Sequence, residues 1–488
     1  MSVVPRQAHL NSAAVVLCAA LLLVSRAHAD FIRGDVNGDT LADLTDARGL
    51  LICQFVGTGC PACFDSMDTN DDGLADVTDA LHLLIYLFVG GVTIPAPNQC
   101  GGDPTEDALP CDEEAFCTDH VPFTGLWTSA AELAGRSMSV QDPAWKAVWD
   151  AARIARAEGA SIWDHNSNNN VQILAAAIVF ARNGDSVFRQ RVIAAIEKLV
   201  AVGNPRNLFP DDNGCPEDDP VDSGGLNRTL AWGRELGAYV LAADLVDYRT
   251  DELSEWLTNM TDVWEGCEGR TMRRSFFDRP NNWGLMNFGS LVAVDAYFGD
   301  VESLNAMRDH FIRGLEGPAP TPPECKQVEC FQYGHDDTWH CDGADPRLIN
   351  PPCVVTCDDG STVDFGGLIP DDQRRSGSFF MASCDTPTAD AHISDWITGA
   401  VMAARILERV GLEIWTAGDF ALKRMIEAHV FTHPQLFEND KGFQCEGPYN
   451  CKSWVMPILE QAYGISLPSA GIGASKNAGY GAYIVKDE

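Results

Sequence analysis

From residue 126 onward, apolar residues recur at three- and four-residue intervals in ten segments: 144–157, 171–182, 187–202, 229–246, 253–264, 285–298, 301–315, 394–410, 420–429 and 452–463. That spacing lays one apolar stripe along a helix. Strand-like alternation is scarce. About ten helices joined by short connectors predict antiparallel helix pairs, and over this length such pairs close into an (α/α) toroid. The pattern breaks over residues 317–387, where Cys, Pro and Asp dominate; an irregular stretch that long inside a domain is stapled or functional.

Two shorter apolar helical patterns, 47–56 and 80–89, lie nearer the N-terminus, and each follows a polar segment of the same form. The segments 35–46 and 68–79 place oxygen-bearing residues at positions 1, 3, 5, 9 and 12 of twelve: Asp35, Asn37, Asp39, Asp43 and Asp46, then Asp68, Asn70, Asp72, Asp76 and Asp79. Position 7, Leu41 or Leu74, contributes its carbonyl. A hard cation takes six to eight oxygens, and a twelve-residue loop of this form supplies them to Ca²⁺. The match of LLICQFVG to LLIYLFVG beyond the loops shows one unit copied twice. Two calcium sites are expected, the first weaker because Thr40 stands where Gly normally eases the turn. An acidic surface loop is the alternative, which two copies in register disfavour.

This paired arrangement resembles the dockerin type I family, in which two such loops end in Asp and each leads into a helix. The resemblance covers residues 31–90. It implies folding on calcium and a cohesin-like partner, with Leu44, Thr45, Val77 and Thr78 as candidate contacts. Cys53, Cys60 and Cys63 depart from the family pattern.

Composition changes the picture in three ways. Residues 1–29 read as a bacterial Sec signal peptide, with an apolar stretch at 13–24 and Ala27-His28-Ala29 before the expected cleavage. That stretch is too short for a membrane span, and no later one is long enough. Of seventeen cysteines only Cys18 lies in the leader, so an even number enters an oxidising compartment and disulfides are expected. The crowded run Cys325, Cys330, Cys341, Cys353 and Cys357 lacks the paired spacing of a zinc site. A formal net charge of −36 disfavours nucleic acid, whose phosphates require a basic face. The predicted organisation is a signal peptide (1–29), a calcium module (30–94), a Cys/Pro/Gly linker (95–125) and a helical domain (126–488).

Three segments of that domain carry candidate chemistry. Asn281-Asn282-Trp283 precedes an apolar helix, so that one asparagine caps it while the other can point elsewhere; the plain alternative is a cap and a core tryptophan. The loop 369–377 offers Arg374 and Arg375, which can hold a carboxylate by paired hydrogen bonds or pair locally with Asp371 and Asp372. His392 opens a helix and can titrate near neutral pH, although a lone His is more often structural.

Together these segments resemble the alginate lyase family of toroid polysaccharide lyases, over residues 230–465. The chain departs from that pattern where Trp283 follows the asparagines and where no Tyr adjoins His392. The resemblance implies β-elimination on a uronate-containing, anionic polysaccharide by a secreted lyase. Asn281, Asn282, Arg374 and Arg375 would neutralise the carboxylate, His392 would be the base and Tyr333 the acid. Arg273, Arg274 and Arg279 add to a basic cluster in an otherwise acidic chain. Two rivals stand beside this reading. A glycoside hydrolase on the same toroid would use paired carboxylates from Asp336, Asp337, Asp371, Asp372 or Asp395; a non-catalytic glycan-binding or scaffold protein would need neither set.

Overall fold

A computed structural model describes residues 31–37, 42, 44–58, 60, 61, 63–89, 91–97, 101–105, 109–111, 123–163, 167–208, 228–316, 348–352, 354–357, 359–373, 387, 391–440, 443, 444 and 451–485. The signal peptide, Asp39, Leu41, Asp43, Tyr333, Asp336, Asp337, Arg374 and Arg375 therefore lie outside the described residues. The described chain is mainly helical, with very little strand. It divides into two compact units, Met1–Asp119 and His120–Glu488.

In the first unit, α1 (Leu44–Val56) packs against α2 (Val77–Phe88). Val36, Leu50, Cys53, Met67 and Ala80 form the small core between them. Asp76 and Asp79 build a reciprocal capping box at the start of α2. A core this small needs staples. Disulfides Cys53–Cys60 and Cys63–Cys111 supply two. Arg33 supplies a third: fully buried, it pairs with Asp65 (3.1 Å), Asp71 (2.9 Å) and Asp103 (2.8 Å) and donates to the Asp68 carbonyl (2.8 Å). Backbone bonds between Phe31 and Gly101 close the unit's two ends on each other. Described residues between 95 and 111 of the stretch read as linker are thus bonded to the module, whereas Phe123 and Gly125 at its end bond within the second unit.

The second unit contains α3 (Ala130–Leu133), α4 (Pro143–Ile154), α5 (Asn169–Asn183), α6 (Ser186–Val202), α7 (Thr229–Leu245), α8 (Asp251–Thr258), α9 (Met272–Asp278), α10 (Asn282–Phe298), α11 (Val301–Glu316), α12 (Pro370–Gln373), α13 (Ala391–Arg409), α14 (Ala417–Glu427), α15 (Pro434–Asn439), α16 (Met456–Tyr463) and α17 (Gly481–Ile484). All ten segments read from periodicity are helical, with boundaries shifted by a few residues. Helices α7, α10 and α13 are buried on nearly every face, whereas α6, α8 and α11 bury one side. Helix α5 packs on α7, α7 on α10 and α10 on α13.

Glycines let the buried helices approach. A Cβ on Gly399 would stand 2.1 Å from the Leu285 carbonyl oxygen, and one on Gly233 would stand 2.8 Å from the Asn287 nitrogen. Gly237 donates its N–H to Ser290 Oγ (2.9 Å), which donates to the Gly233 carbonyl (2.8 Å). These contacts advance together along the helices, so α7, α10 and α13 run parallel and start at one end of the unit.

The strands are minor. β1 (Val354–Thr356) pairs antiparallel with β2 (Thr362–Asp364), Val354 opposite Asp364. Near the C-terminus, β3 (Ala474–Ser475) and β4 (Ala478–Gly479) form a hairpin turned at Lys476-Asn477. The hairpin and the Tyr480 that follows it link α5 to α13: Tyr480 Oη donates to the Val171 carbonyl on α5 (2.8 Å), and Asn477 Nδ2 to the Thr398 carbonyl on α13 (3.4 Å). Among the described residues, no helix is long and apolar enough to cross a membrane.

Candidate functional site

The shared start of the buried helices gathers polar side chains that the apolar sequence around them does not require. On α13, Asp395 is almost wholly buried and ion-paired with Arg234 of α7 and with Lys452 Nζ at 2.6 Å. Burial alone would raise the Asp395 carboxyl; the charges of Arg234, Lys452 and Lys476 overcome that and hold it far below the ordinary carboxylate range. Lys452 also donates to Ser394 Oγ (2.9 Å) and to the Ala391 carbonyl (3.0 Å). The hairpin brings Lys476 to the same group, where burial first, and then repulsion from Arg234 and Lys452 against attraction by Asp395 and Glu235, pushes its amine down to about 8.

Amides surround these charges. Asn170 of α5, fully buried, donates Nδ2 to the carbonyls of Arg234 (3.2 Å), Glu235 (3.3 Å) and Lys476 (2.5 Å). Asn281 caps α10, its Oδ1 accepting from Trp283 N–H at 3.0 Å. Its buried Nδ2 finds no partner among the described residues, and the same holds for Asn287 Oδ1 and Asn477 Oδ1. Leaving a buried polar atom unsatisfied costs about 1–3 kcal/mol, so a group of them at one end of the unit is a feature to explain. Trp396 Nε1 donates to the Pro280 carbonyl (3.1 Å), tying the first turn of α13 to the residue before Asn281.

The sequence candidates divide accordingly. Asn281 and Asn282 are fully buried at the start of α10, and His392 is half-buried at the second position of α13. Arg279 lies over the Trp283 ring at 4.4 Å, with Arg228 at 5.9 Å on the same ring. Arg273 does not join them: it pairs with Asp295 (2.9 Å) and Asp262, and Arg274 pairs with Asp278 (3.1 Å). Asp372 is fully buried on α12. Asp395, ion-paired with Arg234 and Lys452, is held ionised, which does not suit the protonated carboxyl that a hydrolase uses as its acid. Arg234, Lys452, Lys476 and Asn170 escaped sequence reasoning. One signal was present, the Arg234-Glu235 pair inside an otherwise apolar helical run.

In the first unit, the loop 68–79 folds its acidic oxygens inward. Asp68 accepts from the N–H groups of Asp72 (3.1 Å) and Gly73 (2.7 Å), and Asp79 from those of Asp76 (2.7 Å) and Asn70 (3.4 Å). Burial, with the charges of Asp68 and Asp72, pushes the Asp79 carboxyl up to about 6, and burial raises Asp68 as well. Asp76 is instead held low by Thr78. In the other copy, Asp46 accepts from Val36 (2.8 Å) and Asn37 (3.1 Å), as Asp79 does from Asn70. Among the described residues, no group of three or more His, Cys, Asp or Glu side chains is gathered at metal-holding distance. Leu44, Val77 and Thr78 are exposed, and a groove between the helices is lined by Leu44, Leu51, Phe55 and Leu84. No family model matches the chain, and no curated protein matches it.

Proposed function

We propose that the second unit is a polysaccharide lyase of (α/α) toroid form, cleaving a uronate-containing polymer by β-elimination, and that the first is a dockerin-like module holding two Ca²⁺ ions. The observation that carries the lyase reading is the polar cluster at the helix starts: Arg234, Lys452 and Lys476 around Asp395 and Glu235, with Asn170 and Asn281, in a chain of net charge −36. The parallel helix starts add positive potential there. An overall anionic protein keeps such a cluster where negative charge must be received.

The chemistry follows from that charge. In β-elimination, the proton on C5 leaves to a base, its electrons form the C4–C5 double bond, and the C4–O4 bond breaks with its pair on O4, which takes a proton from an acid. The carboxylate on C5 gathers negative charge during the step, and fixed donors at that position lower the barrier. Asn281, Asn282 and the cationic group would supply them, His392 would be the base, and Arg374, Arg375 and Tyr333 keep the roles the resemblance implies. The link from α5 to α13 through the hairpin and Tyr480 supports the toroid, since it joins the two ends of the series α5, α7, α10 and α13.

For the module, the donor set is hard oxygen throughout, and the raised carboxyls of Asp68 and Asp79 are the groups a divalent cation would return to their ionised form. Disulfides in both units, with Cys267, Cys357 and Cys451 also bonded, suit secretion. A cohesin-like partner would take the exposed Leu44, Val77 and Thr78.

Incubation with calcium and alginate, polyglucuronate, pectate or chondroitin, followed by ultraviolet absorbance, tests the reading. Absorbance from unsaturated uronate ends should rise on at least one polymer and fall at least a hundredfold with His392→Ala. A flat trace on all four defeats the lyase reading.

A further inference from the structure

An ammonium has three N–H groups, and Lys452 directs all of them at the first turn of α13: to the Ala391 carbonyl at 3.0 Å, to Ser394 Oγ at 2.9 Å and to Asp395 Oδ1 at 2.6 Å. Residues 391, 394 and 395 span that turn, so one group bridges it end to end. Two carboxylates flank the ammonium: Asp395, shared with Arg234 of α7, and the buried Asp440, whose Oδ1 lies 3.2 Å from Ser394 Oγ. The base of the lysine is held as firmly. It opens a single tight turn, 452–455, in which every residue is buried. Cys451 before it is disulfide-bonded and donates its N–H to the Ala474 carbonyl (3.4 Å), and Trp454 Nε1 donates to the Ser475 carbonyl (3.3 Å).

Stability alone does not call for this arrangement. A helix start carries partial positive charge, which disfavours a cation beside it. A buried ion pair is often no more stabilising than apolar residues of the same volume, and a lysine gives up the rotamer freedom of a long stem to make one. What a three-point contact does supply is a fixed backbone. His392 lies inside the clamped turn, between Ala391 and Ser394. The same end of α13 is tied to α10 by Trp396 Nε1 on the Pro280 carbonyl (3.1 Å) and by the close approach of Gly399 to Leu285. The mounts of His392 and Asn281 are thereby fixed relative to each other.

We propose that Lys452 is a positioning residue of the elimination: it holds the first turn of α13 in place and so aims the His392 imidazole at the C5 proton. This deepens the lyase reading and rests on it. Lys452 touches no substrate in this role. It acts through His392, because a base works only within hydrogen-bond reach of the proton it takes and a small displacement of its backbone is felt in the rate.

The test is a double-mutant cycle with the base. Lys452→Met keeps the length of the stem and removes the donors. On the polymer that the unmodified protein cleaves, it should lower kcat about thirtyfold and change KM by less than about threefold, because a misaimed base slows the step without loosening the substrate. Added to His392→Ala, it should change the residual rate by less than about twofold, since the group it aims is gone. A readout apart from turnover is the ¹³C signal of imidazole Cε1, assigned to His392 by its loss in His392→Ala, which should broaden or split in Lys452→Met. Where Lys452→Met does not fold, Ser394→Ala removes one of the three contacts and should lower kcat about fivefold with the same pattern. An equal fall of kcat in both backgrounds, or a His392 signal unchanged in the variant, overturns the assignment and leaves the lyase reading standing. If the unmodified protein cleaves no polymer, the lyase reading fails and the assignment to elimination fails with it, even where the His392 signal is altered.

Discussion

The calcium-type loop 68–79 and the start of the buried helices solve the same problem in opposite ways. Both crowd ionisable groups out of water, where a lone charge is costly. In the loop burial pushes Asp79 up to about 6 and the neighbouring Asp68 and Asp72 add to it, while burial raises Asp68 even against Arg33. At the helix starts the charges of Arg234, Lys452 and Lys476 overcome the burial of Asp395 and hold it low, while burial and repulsion from Arg234 and Lys452 draw Lys476 down to about 8. The difference teaches that the sign of the neighbours decides where a buried carboxyl titrates: Asp79, beside other carboxylates, is raised, and Asp395, beside cations, is lowered. Net charge alone, −36 for the chain, describes only the first.

The largest effect should come from removing the carboxylate on which the helix cluster depends. Asp395→Asn leaves Arg234 and Lys452 buried without their partner, and breaking a buried pair in this way costs about 3–5 kcal/mol. Chemical denaturation of the second unit's transition reads this directly; a loss below about 1 kcal/mol would show that the cluster is hydrated and does not behave as described. Gly399→Ala comes next, since its methyl would meet the Leu285 carbonyl. Overpacking there should cost about 1–3 kcal/mol, by the same measurement, and an unchanged midpoint would contradict the close approach of α10 and α13.

The loop should show the smallest effect and a distinctive sign. A carboxyl raised in the folded state favours folding when protonated, so its contribution is complete below the unfolded value near 3.8 and is lost as the pH rises through about 6. In chelator, therefore, the first unit should become less stable between about pH 4 and pH 6, and excess Ca²⁺ should reverse the trend. Hydrogen exchange of the α2 amides follows it. Exchange that slows across that range in chelator would contradict the crowding of Asp68, Asp72 and Asp79.

The helical order was legible in the sequence because the three- and four-residue apolar rhythm is local. The segment read at 229–246 is Thr229–Leu245, and that read at 301–315 is Val301–Glu316. Helix α9, seven residues long, is too short to show a period. A cap at Asn281 or Asn282 was legible, since an asparagine before an apolar run satisfies the first free N–H groups, and the structure puts it on Asn281. The cationic cluster was not, because its members come from residues 170, 234, 395, 452 and 476, and no local pattern links them. Lys476 is the extreme case: nothing in Ser475-Lys476-Asn477-Ala478 marks a left-handed turn, and only the fold places it beside Asp395. For the loops, spacing alone predicted the oxygen set, while the second use of Asp76 as the cap of α2 needed the structure.

The central claim is that the helix-start cluster serves elimination, and the most direct measurement is the oxygen content of the new chain ends. Alginate cut in ¹⁸O-enriched water and analysed by mass spectrometry should give fragments whose new non-reducing ends are lighter by a water, because O4 departs on C1 of the neighbouring fragment and no water adds. Fragments of full hydrated mass, with no end lighter by a water, would establish hydrolysis and contradict the account.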